Sequence, residues 1–305
     1  MHRSLRPGSR PSSLRHEDGG ENGLSIELGG EVLSFIPAGR TVKLAMEECY
    51  RSFVSDATPS MTFRVHDGPA PYSDLGAPIF ATPLWALYRV QEQLVMSSRL
   101  PGTEARDLVA LDPDAGQGNV YRLDAPRRRG HPQLLLEPSL DGVLFMALLA
   151  RGRGVMLHAA GVGDRGQGVL FSGVSGAGKS TTMRLWKSHS DAALLSDDRI
   201  VVRKRAGRFW AYGTPWYGDA LVVSPAAFPL KRIFVIRHAP ANGATRLRPA
   251  EAVKSLLTRS FLPFWDAPGM AFTLAFLDEL VQAVPCYDFG FVPDESTVDF
   301  VQCMI

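Results

Sequence analysis

Cysteine is scarce in this chain of 305 residues, and only Cys49, Cys286 and Cys303 occur. The count is odd, and no two of these residues have the C-x-x-C spacing that is typical of thiolate zinc sites and redox motifs. A disulfide framework and a structural zinc site are therefore not expected. A reducing cytoplasm is the compartment that fits this composition best.

The chain also lacks a dominant charge and long apolar runs. The 33 Lys and Arg residues nearly balance the 31 Asp and Glu residues, and the net charge is +2. This balance gives no broad positive field for a nucleic-acid backbone, so no nucleic-acid partner is expected. No stretch approaches the roughly twenty apolar residues of a membrane span, and no secretory signal is evident, so no membrane association is expected.

Residues 1–23 predict a disordered tail. Four arginines lie there among Ser, Pro and Gly, with almost no side chains that could pack into a core. Arg- and Ser-rich starts are also typical of organelle transit peptides, which is the alternative interpretation. The segment shows no clear amphipathic face, and this favours the plain tail.

Residues 24–135 predict a smaller N-terminal α+β domain. Residues 24–37, LSIELGGEVLSFIP, alternate apolar and polar side chains around two glycines, which predicts a β-hairpin. Residues 83–100 place apolar side chains at helical spacing, which predicts a helix.

The stretch at 124–133, DAPRRRGHPQ, predicts a linker or an exposed loop close to a domain boundary. Its three consecutive arginines could instead bind an acidic partner, although a short charge run is more often solvated. The second domain then covers residues 136–305.

A phosphate-binding loop is predicted at residues 173–180, GVSGAGKS, between an apolar strand and a helical segment. Glycines let backbone N–H groups turn toward phosphate oxygens, and the following helix adds unpaired donors and the positive end of its dipole. Lys179 is expected to reach the terminal phosphates, and Ser180 is expected to offer its hydroxyl to Mg²⁺. The predicted nucleotide contacts are Gly173, Ser175, Gly176, Ala177, Gly178, Lys179, Ser180 and Thr181, with Thr182 as the alternative to Thr181.

A pair of acids, Asp197 and Asp198, follows a short apolar strand, with Asp197 eighteen positions beyond Lys179. One helix and a short loop fill this interval, so the acids are expected close to the phosphate loop. Two carboxylates at a strand end can divide two tasks, one binding the metal and one accepting the proton of the attacking hydroxyl. We assign Asp198 to the metal and Asp197 to the base, and the reverse assignment stays open.

The order of motifs resembles the HPr kinase/phosphorylase family. It consists of VMLHAAGV with His158, then GVSGAGKST, then LLSDDRIVV. The resemblance implies an α/β fold with a P-loop core and a mixed sheet, similar to the core of ATP-dependent phosphoenolpyruvate carboxykinase. It also implies that His158 lies beside the phosphates as a catalytic residue and that ATP and Mg²⁺ are used. The glycine-rich segment that bifunctional HPr kinases carry after the acidic pair is not found.

The expected activity is transfer of the γ-phosphate of ATP to a hydroxyl, with Asp197, His158 and Lys179 as catalytic residues. The expected acceptor is a Ser or Thr of a peptide or small protein, because HPr-kinase-like proteins accompany some clusters that make lasso peptides. A small-molecule hydroxyl and a non-catalytic ATP-binding module are the alternatives. Homo-oligomerisation stays open.

Two further pairs of residues have two interpretations each. Trp216 and Tyr217 could stack on a base or anchor their own loop. Arg232 and Arg237 could neutralise the charge of the transferring phosphate or form surface pairs.

Overall fold

The structure is a computed structural model, and it describes residues 23–40, 42–98, 107–112, 115–122, 133–134 and 140–305. Except for Gly23, the predicted tail lies outside the described residues. The same holds for the predicted linker at 124–133, except for Gln133, and for the domain boundary at residues 135 and 136.

The first part of the chain folds into a mixed β-sheet with the strand order β1-β2-β4-β9-β8-β7-β6-β5. Strand β4 pairs in parallel with β2 and β9, and the other neighbours are antiparallel. A 3₁₀ helix covers Glu48–Phe53. The strands are β1 (Leu24–Leu28), β2 (Glu31–Pro37), β3 (Leu44–Ala45), β4 (Met61–His66), β5 (Phe80–Ala81), β6 (Trp85–Val90), β7 (Gln93–Ser98), β8 (Asp107–Asp112), β9 (Gln117–Arg122) and β10 (Gln133–Leu134).

The predicted hairpin at 24–37 is confirmed by β1 and β2, whereas the predicted helix at 83–100 is wrong. Strands β6 and β7 form an antiparallel hairpin there, and Gln91 adopts a left-handed φ of 56° in its turn. Both faces of this hairpin are covered, because Leu87 and Met96 join one buried cluster while Tyr88 and Val95 join another. A strand buried on both faces loses the alternation that distinguishes it from a helix. The described residues before 123 therefore contain strands and the 3₁₀ helix, not the α-helix of the predicted α+β domain.

The second part of the chain alternates strands and helices as predicted for residues 136–305. Residues 199–212 form an antiparallel hairpin, Pro249 begins a helix, and a final helix covers Ser296–Gln302. The elements are α1 (Asp141–Leu149), β11 (Val155–Asp164), β12 (Gln167–Ser172), α2 (Lys179–His189), β13 (Ala193–Ser196), β14 (Arg199–Arg205), β15 (Arg208–Tyr212), β16 (Ala227–His238), β17 (Gly243–Arg246), α3 (Pro249–Leu257), α4 (Ala267–Ala283), β18 (Cys286–Phe291) and α5 (Ser296–Gln302).

Strands β11 and β16 are the long strands of the second sheet, and each changes its partners along its length. Strand β11 pairs with β14 over residues 155–158 and then with β12 and β13. Strand β16 pairs with β15 at its start and then in parallel with β12 and β18. The pairings β12-β11-β14-β15-β16-β12 therefore form a closed circuit.

Helices cover this second sheet on two sides. Met183 and Trp186 of α2 pack with Val298 of α5 against one set of strands. Leu256 of α3 and Leu277 of α4 pack against another set. Within the described part of the chain, no helix combines the length and the apolar character needed to cross a membrane.

Helix α1 joins the two parts of the chain through one shared core. All nine of its residues are buried, and its apolar side chains cluster with Phe35 and Phe63 of the first sheet and with Met156 and Val201 of the second. A helix that is apolar on every side needs partners on every side. The hydrophobic core therefore extends across both parts.

Polar contacts reinforce the same junction. Glu31 of β2 is 7% exposed, and its carboxylate receives Arg153 and Arg203 of the second part, each at 2.6 Å. Arg203 also donates to the backbone carbonyl of Gly29 at 2.8 Å. A buried carboxylate with two arginine partners is costly to disrupt, because removing it leaves buried positive charge without compensation.

We expect Glu31→Gln to lower the free energy of unfolding by about 3 kcal/mol for this reason. Equilibrium urea denaturation followed by tryptophan fluorescence measures the effect. Glu279→Gln is the matched control, because its exposed pair with Lys204 should contribute no more than about 1 kcal/mol. Equal stability losses in the two variants would contradict the assignment.

Candidate functional site

The predicted strand, phosphate loop and helix are all present. Strand β12 ends at Ser172, the loop covers residues 173–178, and α2 starts at Lys179. Gly178 has a φ of 104°, and Thr182 donates its hydroxyl to the Gly178 carbonyl at 3.0 Å. The loop also approaches its surroundings closely, because a Cβ on Gly173 would lie 2.7 Å from the Cβ of Ala177. The glycines therefore meet steric and conformational needs of this loop.

Lys179 lies at the base of the loop with 7% of its surface exposed. Its ammonium group donates to the carbonyls of Gly173 at 2.9 Å and Val174 at 3.3 Å. Burial lowers the pKa of Lys179, and the positive charge of Arg259 lowers it further, while Asp198 and Asp197 oppose this shift. Positive charge is thus concentrated under the loop.

Asp197 is 1% exposed and is held by backbone and hydroxyl donors. Ser180 donates its hydroxyl to Asp197 Oδ2 at 3.0 Å. The backbone N–H groups of Gly218, Ala220 and Val222 donate to the same carboxylate at 2.8, 2.7 and 3.4 Å. These four donors fix its orientation, and they place it beside the hydroxyl that was predicted to bind Mg²⁺.

Asp198 has different surroundings, although it is the next residue. His158 Nδ1 lies 3.3 Å from its Oδ1, and Arg199 Nε lies 3.2 Å from its Oδ2. Burial is the largest single influence and raises the pKa of Asp198, but the hydrogen bond from His158 and the charges of Arg199 and Lys179 together lower it below its usual range. About a quarter of this side chain is exposed. Asp198 is thus an accessible, ionised carboxylate.

One cleft of about 310 Å³ collects most of the predicted site residues. Arg184, Asp219 and His238 also line it, and sequence reasoning did not predict them for the site. The ring of His238 packs at a tilt of 33° against Phe291, with ring centroids 4.9 Å apart. No local motif identified these three residues. The lining consists of His158, Ser175, Gly176, Gly178, Lys179, Ser180, Thr181, Arg184, Asp197, Asp198, Gly218, Asp219 and His238.

Two predicted contacts, Gly173 and Ala177, lie in the loop but do not line the cleft.

Trp216 is 6% exposed and donates its indole N–H to Asp141 at 2.9 Å, so it anchors its own loop instead of stacking on a ligand. Arg237 forms a surface pair with Asp288, and Arg232 donates to the Met304 carbonyl. Neither arginine lines the cleft.

The oxygen donors of the site fit Mg²⁺. Mg²⁺ is usually held by one or two carboxylates together with substrate phosphates, not by a cage of protein ligands. The Ser180 hydroxyl and the Asp197 carboxylate provide such a donor set next to the phosphate loop. No group of three or more His, Cys, Asp or Glu side chains suited to a metal ion occurs in the described residues.

Comparisons with known proteins find distant structural likeness and no sequence match. No family model matches the chain, and no curated protein matches its sequence. The structure is similar to the HPr(Ser) kinase/phosphatase from Coxiella burnetii, with 12% identity over 49% of this chain and 91% of that one, at a TM-score of 0.28. Likeness at this level says nothing about what this chain binds or transfers.

The close packing of the phosphate loop gives a test. A Cβ on Gly178 would lie 2.4 Å from the ring of Phe291, in addition to the unfavourable left-handed φ. Gly166→Ala is the matched control, because Gly166 has a φ of 76° and no heavy atom within 4 Å of the added Cβ. We expect a loss of about 1–2 kcal/mol in urea denaturation for Gly166→Ala and a clearly larger loss for Gly178→Ala. Equal losses would show that Phe291 does not constrain the loop.

Proposed function

We propose that this protein is an ATP-dependent phosphotransferase that moves the γ-phosphate to a hydroxyl. The observation that carries the proposal is the arrangement of one cleft. A phosphate loop with Lys179 and Ser180 faces two adjacent carboxylates in two different environments. A site that only bound a nucleotide would have little need for a second, accessible carboxylate beside the phosphates.

The loop and the start of α2 are suited to hold the phosphates of ATP. Backbone N–H groups from Ser175 to Gly178 and the positive end of the α2 dipole would face the anion. Lys179 would exchange its carbonyl partners for the terminal phosphates. Thr181, on the first turn of α2 and in the lining of the cleft, supports the same binding mode.

Ser180 and Asp197 would hold Mg²⁺. Bound there, Mg²⁺ would offset negative charge on the phosphates. This assigns Asp197 to the metal and Asp198 to the base, which is the reverse of our first choice from the sequence. The contact between Ser180 and Asp197 favours this reversal, as does the burial of Asp197, which leaves Asp198 as the carboxylate more accessible to an acceptor hydroxyl.

Asp198 is the proposed base. It would accept the proton of the acceptor hydroxyl while that oxygen forms a bond to the γ-phosphorus. The bond from the γ-phosphorus to the oxygen of the β-phosphate breaks, and ADP leaves with the electron pair. His158 would orient Asp198 through the contact of 3.3 Å.

The acceptor we propose is a Ser or Thr of a peptide or small protein. Its support is the motif order shared with HPr-kinase-like proteins. A small-molecule hydroxyl is the alternative that the cleft also allows, because the cleft is lined mainly by polar and charged groups.

Mass spectrometry of acceptors incubated with ATP and Mg²⁺ tests the function. Peptides encoded near the gene come first, and free serine and sugars follow. We expect a mass gain of one phosphate that disappears with Lys179→Ala. Consumption of ATP without a phosphorylated peptide would favour a small-molecule acceptor. No turnover of ATP with any acceptor would contradict the transferase proposal.

Neutral replacements of the two acids test their separate roles. We expect Asp197→Asn to weaken binding of ATP with Mg²⁺, partly restored at higher Mg²⁺ concentration, because it removes the metal carboxylate. We expect Asp198→Asn to keep nucleotide binding and to lower kcat by about 10²-fold or more. Titration calorimetry and initial rates measure the two effects, and the opposite pattern would restore our first assignment.

A further inference from the structure

Arg199 is the cation that contacts the accessible carboxylate of the cleft. Its Nε donates to Asp198 Oδ2 at 3.2 Å, while His158 contacts the other oxygen. Arg199 is not in the lining of the cleft, so it approaches Asp198 from outside the space that substrates would occupy. Arg199 therefore contacts the Asp198 carboxylate without occupying the space that an acceptor would need.

Two aromatic rings hold the guanidinium of Arg199. Its Cζ lies 5.4 Å from the ring of Trp216 and 4.9 Å from the ring of Phe261. Both distances are within the range of cation–π attraction. The planar guanidinium is thus restrained between two flat surfaces while its Nε points to Asp198.

The rings are themselves fixed by other contacts. Trp216 donates its indole N–H to Asp141 at 2.9 Å, and Phe261 donates its backbone N–H to the Met156 carbonyl of β11 at 2.9 Å. Asp141 is buried at the start of α1, and burial raises its pKa while the charge of Arg199 acts in the opposite direction. The two rings that contact Arg199 are therefore anchored to α1 and β11.

One support comes from the N-terminal part of the chain. Tyr50, in the 3₁₀ helix, donates its hydroxyl to Asp141 Oδ2 at 2.5 Å, the same oxygen that accepts from Trp216. Contacts thus continue from Tyr50 to Asp141, Trp216, Arg199 and Asp198. The N-terminal part is therefore connected to Asp198 by consecutive contacts, although Tyr50 does not line the cleft.

We propose that Arg199 is a positioning residue that sets the orientation of Asp198 for proton acceptance, and that Tyr50 supports it from the N-terminal part. This inference rests on the proposed function. Arg199 donates one charge-assisted hydrogen bond to Asp198, and it does so from a fixed plane, which a lysine lacks. Arg199 would then act on the rate of transfer and not on the binding of ATP.

The test uses the full chain with Mg²⁺ and ATP, and water as the acceptor, with release of ADP measured as kcat and nucleotide Kd measured separately. We expect Arg199→Gln to lower kcat about ten-fold or more with Kd changed by no more than about two-fold, from the loss of one charge-assisted hydrogen bond. Arg199→Lys should fall between Arg199→Gln and the unmodified protein. Tyr50→Phe should lower kcat by a smaller factor than Arg199→Gln does, and it should leave the nucleotide Kd unchanged.

Two controls separate positioning from general damage. Arg237→Gln removes an equivalent Nε contact, 3.1 Å to Asp288, at a surface pair outside the cleft, and it should change neither kcat nor Kd. Asp198→Asn combined with Arg199→Gln should be no slower than Asp198→Asn alone, because Arg199 acts only through Asp198.

Additive losses in the double variant, or an Arg199→Gln variant with unchanged kcat, would overturn the positioning role while leaving the proposed function in place. Losses of kcat and nucleotide affinity in equal proportion would overturn it as well. If Arg199→Gln does not fold, Arg199→Lys carries the same comparisons. No release of ADP by the unmodified protein, with water or with any of the peptide and small-molecule acceptors, would instead defeat the proposed function, and the inference with it.

Discussion

Strand β11 holds the candidate site together because each of its edges carries a different part of that site. One edge pairs with β12, which leads into the phosphate loop, and the other pairs with β13 and β14, which flank the acidic pair. Since β12 and β13 are both antiparallel to β11, they run parallel to each other and end on the same side. The loop and the acids therefore meet, although a helix separates them in the sequence.

His158 occupies the point on β11 where the partners change. Strand β12 pairs with β11 only from Ala159 onward, so on that edge the His158 backbone N–H donates instead to the Arg259 carbonyl at 2.7 Å. On the opposite edge of β11, His158 pairs with Arg199 of β14. A lone histidine in an apolar strand is usually a core residue. Here the change of partners opens the sheet, and 31% of the side chain is exposed beside Asp198.

The two adjacent acids have different surroundings because the backbone presents them to different elements. Asp197 is oriented by the backbone N–H groups of Gly218 and Ala220, in the loop between β15 and β16, whereas Asp198 contacts side chains of β11 and β14. The sequence could place the pair near the phosphate loop, because the interval to Lys179 fits one helix. It could not choose between their roles, since that choice depends on a loop more than twenty residues further along the chain.

The elements that were predicted correctly are those whose sequence signal lies within the element itself. The phosphate loop needs its glycines and its flanking strand and helix, and all of these are adjacent in the sequence. The hairpin of β6 and β7 was missed because burial on both faces comes from distant segments. Arg199 was missed for a related reason, because its environment combines Trp216 and Phe261 with Asp141.

The N-terminal sheet has a structural role in the second part of the chain, because it packs against α1. It covers one side of α1, whose nine residues are all buried, and α1 carries the Asp141 that fixes Trp216. Deleting the sheet would expose α1 and disturb the environment of Arg199, even if the sheet never touched an acceptor. Loss of activity on such a deletion is therefore not evidence of acceptor recognition. Substitutions on the outer strands of the sheet, away from α1, are the changes that can separate recognition from support.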